Sequence, residues 1–161
     1  MRFRPLNRNS MKVAIATLCL VLGASGNLVA ADSCPAFDKF SDVNCEDLSA
    51  RLDNFAVALA TEPNARGTIV VYEGKYRNGK APRRGEAQAS ASRIKDYLVN
   101  SRGVSPARIV VVNGGFRDDY AVELWICPQG VTVPVSPTLT ATHVKFRKGK
   151  ISKREYKWSC L

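Results

Sequence analysis

The sequence holds one histidine, His143, and no Cys-x-x-Cys pair. A zinc site or a histidine-centred catalytic set therefore has almost nothing to draw on. Gly-x-Ser-x-Gly and Gly-x-x-x-x-Gly-Lys-Ser/Thr are both missing. That removes a hydrolase nucleophile elbow and a P-loop nucleotide site. The adjacent acids Asp118-Asp119 are read as a polar hairpin turn, since neighbours on an extended chain point apart. No enzyme, metal or cofactor is expected. No internal repeat is visible, and no apolar run approaches the roughly 20 residues of a membrane span.

What is present begins with an export signal. Arg2, Arg4, Arg8 and Lys12 precede an apolar stretch from Val13 to Gly23, and Val29-Ala30-Ala31 puts small residues before Asp32. Residues 1–31 read as a cleaved signal peptide. Cys19 follows Leu18, where a lipobox needs a small residue, so it is read as part of the apolar stretch. The mature chain is expected to be exported, with its cysteines oxidised. Cys34, Cys45, Cys127 and Cys160 remain, and four cysteines allow three pairings. Proximity in sequence favours Cys34–Cys45 with Cys127–Cys160.

Charge is unevenly placed. The net charge of +10 falls to +6 once the four basic residues of the signal are removed. Lys145, Arg147, Lys148, Lys150, Lys153, Arg154 and Lys157, set against Glu155, account for that +6. The chain is thus a neutral domain with a basic extension. An exported protein has no nucleic acid to meet. Its anionic partners are envelope polymers, outer-membrane proteins or lipid headgroups.

Periodicity supplies the elements. Phe37–Val43 is a short strand. Asn44 can cap a helix with acids in its first turn and Leu48, Leu52, Phe55, Ala56 and Leu59 on one face. Glu62-Pro63-Asn64 ends it, and Thr68–Tyr72 reads as a central strand. Ala87, Ala91, Ile94 and Leu98 form the face of a second helix, stopped at Gly103. Pro106 prevents its resumption, and Ile109–Val112 is a third strand. Asn113-Gly114-Gly115 signals a turn. In the fourth strand Val122, Leu124 and Ile126 alternate with Glu123 and Trp125, which predicts one buried and one partly open face. Residues 32–129 form the domain and residues 130–142 a Pro/Thr linker. Residues 143–161 form a hairpin-like basic extension turning at Lys148-Gly149-Lys150.

The loop from Gly74 to Gly85 carries Lys75, Arg77, Lys80, Arg83 and Arg84. It reads either as a solvated loop or as the rim of an anion site feeding a helix N-terminus.

The order of these features resembles one family. Tyr97-Leu98, then Gly103-Val104, then Arg108-Ile109 opening a strand, is the spacing found in the OmpA-like C-terminal domain. ARLDNFAVALATEPNARGTIVV, residues 50–71, resembles that family's first helix and second strand. The likeness runs from Phe37 to Pro128. It implies an α+β, two-layer βαβαββ sandwich, with a mixed four-stranded sheet in the order 1-4-2-3 and two helices on one face. It also implies Cys34–Cys127 and Cys45–Cys160 as the disulfides.

By function the resemblance implies a non-catalytic, periplasmic or outer-membrane-associated module that binds peptidoglycan or a related anionic wall component. The family grips the diaminopimelate of the stem peptide. An Asp after strand two meets the ammonium, and an Arg fork in helix two meets the carboxylate. Aligned on Asp96-Tyr97-Leu98, Ser90 stands where that Arg should be, and Arg93 lies almost one turn along, about 5 Å. Glu73-Gly74-Lys75 replaces the Thr-Asp. The ligand residues implied are Glu73, Arg83, Arg84, Ser90 and Arg93. The alternative is an interaction protein that docks acidic partners or anionic lipid through the basic extension.

Overall fold

The computed structural model describes residues 34–149 and Ile151. The expected signal peptide and Lys150, Lys153, Arg154, Lys157 and Cys160 lie outside the described residues. In chain order the elements are β1 (Ala36–Phe40), α1 (Cys45–Thr61), β2 (Ala65–Lys75), α2 (Glu86–Asn100), a 3-10 turn (Pro106–Arg108), β3 (Ile109–Asp119) and β4 (Ala121–Pro128). The sheet order is β1-β4-β2-β3. β2 and β3 are parallel, while β4 runs antiparallel to both β1 and β2. The fold is the α+β sandwich expected, with a mixed sheet.

Local chemistry explains the helices. The Asn44 side chain accepts from the Asp47 amide at 2.8 Å, with Glu46 and Asp47 in the first turn of α1. No basic residue stands in the last turn of α1. Arg108 does that work from a distance, donating to the carbonyls of Leu59, Glu62 and Ala65 at 2.6–3.1 Å. Pro106 does stop α2 from resuming, but it opens the short 3-10 turn that presents Arg108. Leu52, Phe55 and Leu59 of α1 and Ala91, Ile94 and Leu98 of α2 share one core with Ile69, Val71, Val122 and Leu124. Both helices therefore cover the same face of the sheet.

The other face is not open. Val70, Tyr72, Trp125 and Cys127 form a second buried cluster, with Val131 and Val133 packed on it. Residues 130–142 are thus a strap across the sheet and not a linker. The Tyr72 hydroxyl accepts from the Ser136 amide at 3.2 Å, and Arg117 Nε donates to the Ser136 carbonyl at 3.1 Å. Arg117 also pairs at 3.1 Å with Glu123, which is 2% exposed. The face of β4 that carries Glu123 and Trp125 was expected to be partly open; Val131 and Val133 of the strap pack on the cluster that holds Trp125, and Glu123 is paired with Lys39 and Arg117. Thr138 and Leu139 both donate backbone amides to the Phe116 carbonyl at 3.0 Å.

Two glycines shape the path of the chain. The expected turn at Asn113-Gly114-Gly115 is instead a bulge within β3. Pairing skips from Val71↔Asn113 to Tyr72↔Gly115, and the Tyr72 ring lies where a Gly114 side chain would be. β3 runs on to Asp119, so Asp118-Asp119 lies in a strand and not in a hairpin turn. The chain then crosses the end of β2. Tyr120 N donates to the Lys75 carbonyl at 2.9 Å, and the crossing passes so close that a Cβ at Gly74 would overlap the Asp119 carbonyl.

Cys34 is bonded to Cys127 with the Cα atoms 5.4 Å apart, which excludes the proximity pairing. Cys45 is also in a disulfide. Its expected partner, Cys160, is outside the described residues. Among the described residues no helix is long and apolar enough to cross a membrane. In the extension, residues 143–149 are turn, irregular chain and a bend at Lys148-Gly149, with no strand pairing.

Candidate functional site

A cavity of about 280 Å³ opens where the ends of β1 and β2, the start of α2 and the extension meet. Its charged lining is Asp42, Lys80, Glu86, Arg93 and Arg147. Ser41, Ser90, Tyr76 and Tyr120 supply its hydroxyl groups.

The amphipathic pattern of α2 sets Ser90 and Arg93 on adjacent positions of one face. Arg93 Nη2 donates to Ser90 Oγ at 2.9 Å. The guanidinium thus reaches back over the turn that separates the two residues in sequence. Tyr120 is 8% exposed, with Ser90 and Arg93 near its hydroxyl. Burial pushes the Tyr120 phenol above its ordinary value, opposed by Ser90 and by the nearby Arg93 charge. Tyr76 stacks on Tyr120 with ring centroids 5.1 Å apart, and burial raises its phenol strongly as well. Both phenols are neutral donors at physiological pH.

Glu73 does not line the cavity. It is 8% exposed, and its Oε1 accepts from the Gly85 amide at 2.8 Å. The amides of Ala87 and Glu86 also point to it. Gly85 occupies the cap of α2 and has no side chain to offer, so the carboxylate comes from β2. Desolvation raises the Glu73 carboxyl above its ordinary 4.5, and the three amides work against that rise. The positive end of α2, expected to attract a ligand anion, is therefore already filled by the protein's own acid.

The other predicted residues divide. The Arg84 guanidinium is stacked over Phe146 at 4.4 Å from the ring centre, and does not line the cavity. Arg83 contributes its backbone amide, which donates to Glu86 Oε2 at 2.7 Å. Of the five loop cations only Lys80 lines the cavity, and Lys75 and Arg77 are exposed. The loop is a turn held by Tyr76 N to Lys80 O at 3.0 Å and Gly79 N to Tyr76 O at 2.8 Å. In the basic extension Lys145 and Lys148 are exposed, whereas Arg147 is turned inward to Glu86 at 3.0 Å. Ser90, Arg93 and Arg147 are brought together. Glu73, Arg83 and Arg84 support the walls.

Asp42 and Tyr120 were missed. Asp42 lay inside the stretch read as strand one, Phe37–Val43, whereas β1 ends at Phe40, and Tyr120 stood in the crossing to strand four. No local signal marks either one. Among the described residues no cluster of His, Cys, Asp and Glu could hold a metal.

Comparison of the chain with protein-family models, with characterised proteins and with solved structures returned no match.

Proposed function

We propose that this chain is a non-catalytic, periplasmic or outer-membrane-associated module. In this reading it is a divergent relative of the OmpA-like domains that binds peptidoglycan or a related wall component. The observation that carries the reading is the Arg93 guanidinium, seated on Ser90 in a cavity that also holds Asp42. Ser90 is the position at which the resemblance implies a carboxylate-binding arginine. The long Arg93 side chain makes up the displacement that the sequence alignment leaves. Asp42 takes over the ammonium-binding role implied for Glu73, which is committed to the helix start. The cavity then offers a cation and an anion to one ligand, as a diaminopimelate end group needs. The Cys34–Cys127 disulfide is the oxidised state expected of an exported chain.

Co-sedimentation with purified sacculi tests the reading. Binding should survive at about 0.5 M salt, where exposed charges are largely screened, and free diaminopimelate should compete it away. Binding that fades with salt and ignores the competitor would favour docking through the basic extension.

A further inference from the structure

The basic extension is joined to the cavity by four observations. The Arg147 amide donates to the Pro82 carbonyl at 3.0 Å. Its Nη2 meets Glu86 Oε1 at 3.0 Å, with the two side chains 23% and 15% exposed. Phe146 sits between the Arg84 guanidinium, at 4.4 Å, and the Phe116 ring, at 5.9 Å between centroids. Upstream, Leu139 bridges to Phe116, so the strap delivers the extension to this place.

We infer that Phe146 and Arg147 of the extension form a wall of the binding cavity, with Arg147 as a second ligand-facing cation beside Arg93. The inference rests on the proposed function and names a residue of that same site. Arg147 does two things there. It pairs Glu86, which would otherwise present an uncompensated carboxylate to the ligand. It also sets the balance of the lining, which has three cations, Lys80, Arg93 and Arg147, against the carboxylates of Asp42 and Glu86. Without Arg147 the cations and carboxylates are equal in number, and the cavity loses its preference for an anion. The pair is largely out of water, so added salt screens it much less than it screens Lys145 or Lys148. Arg147 Nε is buried with no hydrogen-bond partner among the described residues.

The test is calorimetric titration of soluble muropeptides released from sacculi into the mature full chain. Arg147→Gln should weaken binding about tenfold and keep that loss at about 0.5 M salt. Lys148→Gln removes the same charge from an exposed site and should change affinity less than about twofold at that salt. Phe146→Ala removes the apolar seat and no charge, and should weaken binding several-fold at low and high salt alike. Thermal unfolding of each variant checks that the domain is intact. Equal effects of Arg147→Gln and Lys148→Gln overturn the inference, because the extension then acts by charge alone. Tighter binding in Arg147→Gln or Phe146→Ala also overturns it, since the extension is then an obstruction. If Arg93→Gln loses binding while both extension variants keep it, the inference fails and the proposed function stands. If the wild-type chain does not bind, or Arg93→Gln binds as well as wild type, the proposed function fails first and the inference falls with it.

Discussion

Arg93 lies across Ser90, its guanidinium 2.9 Å from the serine hydroxyl. A residue three positions along a helix thereby brings its charge back over the preceding turn. Ser90 is 9% exposed and accepts from the guanidinium, so it serves as the rest on which Arg93 is set. Ser90→Ala should retain the fold and weaken ligand binding less than Arg93→Gln does. A titration comparing the two variants measures the difference between positioning and contact.

Glu73 gives a pH signature. Its folded-state pKa is raised above the ordinary 4.5, chiefly by burial. The folded protein therefore holds a proton that the unfolded chain has released, and stability falls as pH rises from 4.5 through the folded value. Glu73→Gln should flatten that part of the stability profile. Glu73→Ala should destabilise by about 1–2 kcal/mol through loss of the helix cap. Denaturant unfolding at a series of pH values checks both.

Asp53 works the other way. Arg102 first, and then Tyr97, hold its carboxyl below the ordinary 3.8. The stabilisation is present above that pH and is lost as pH falls through the lowered value. Asp53→Asn should remove this acid-side loss, as followed by acid titration of the native signal.

Gly74 admits the β3–β4 crossover. Gly74→Ala drives a methyl into the Asp119 carbonyl and the Tyr120 amide, and backbone cannot swing aside as a side chain does. The expected cost is about 2–3 kcal/mol. Binding should fall too, because the same crossover carries Tyr120 into the cavity. Gly79, whose Cβ would meet nothing, separates loop strain from collision: Gly79→Ala should cost only about 1 kcal/mol for its positive φ. Equilibrium unfolding of the two variants is the comparison.

The strap divides two truncations. A chain ending at residue 142 keeps Val131 and Val133 on the outer face of the sheet and should unfold cooperatively. A chain ending at residue 129 uncovers Tyr72 and Trp125 and breaks the contacts of Arg117 with Ser136. It should have a lower Tm and bind an apolar dye. In both truncations Cys45 is changed to Ser, so that the Cys34–Cys127 bond forms without competition.

The strengths and failures of the sequence have physical causes. The helix faces were legible because Leu52, Phe55 and Leu59, like Ala87, Ala91, Ile94 and Leu98, repeat at helical spacing. The Asn44 cap and the Gly103 stop were legible as single-residue chemistry. The sheet order and the Cys34–Cys127 bond followed only from the family resemblance, since four cysteines by themselves leave the pairing open. The strap was not legible, because Val131 and Val133 sit among prolines and threonines with no period, and only the sheet beneath them shows that they are buried. Asn113-Gly114-Gly115 carried a turn signal and made a bulge, since the tertiary demand is room for the Tyr72 ring. Arg147 was visible as a charge but not as a wall of the site. Only the contacts to Glu86 and Pro82 distinguish it from Lys145 and Lys148.

The most direct measurement of the central claim is the affinity of a diaminopimelate-containing muropeptide for wild type and for Arg93→Gln at about 0.5 M salt, where exposed charges are screened. The account predicts saturable binding by wild type, weakened in the variant by about 1.5–3 kcal/mol, the range for a hydrogen bond to a charged group. Equal affinity of the two chains, with binding lost only when residues 143–161 are removed, would contradict it.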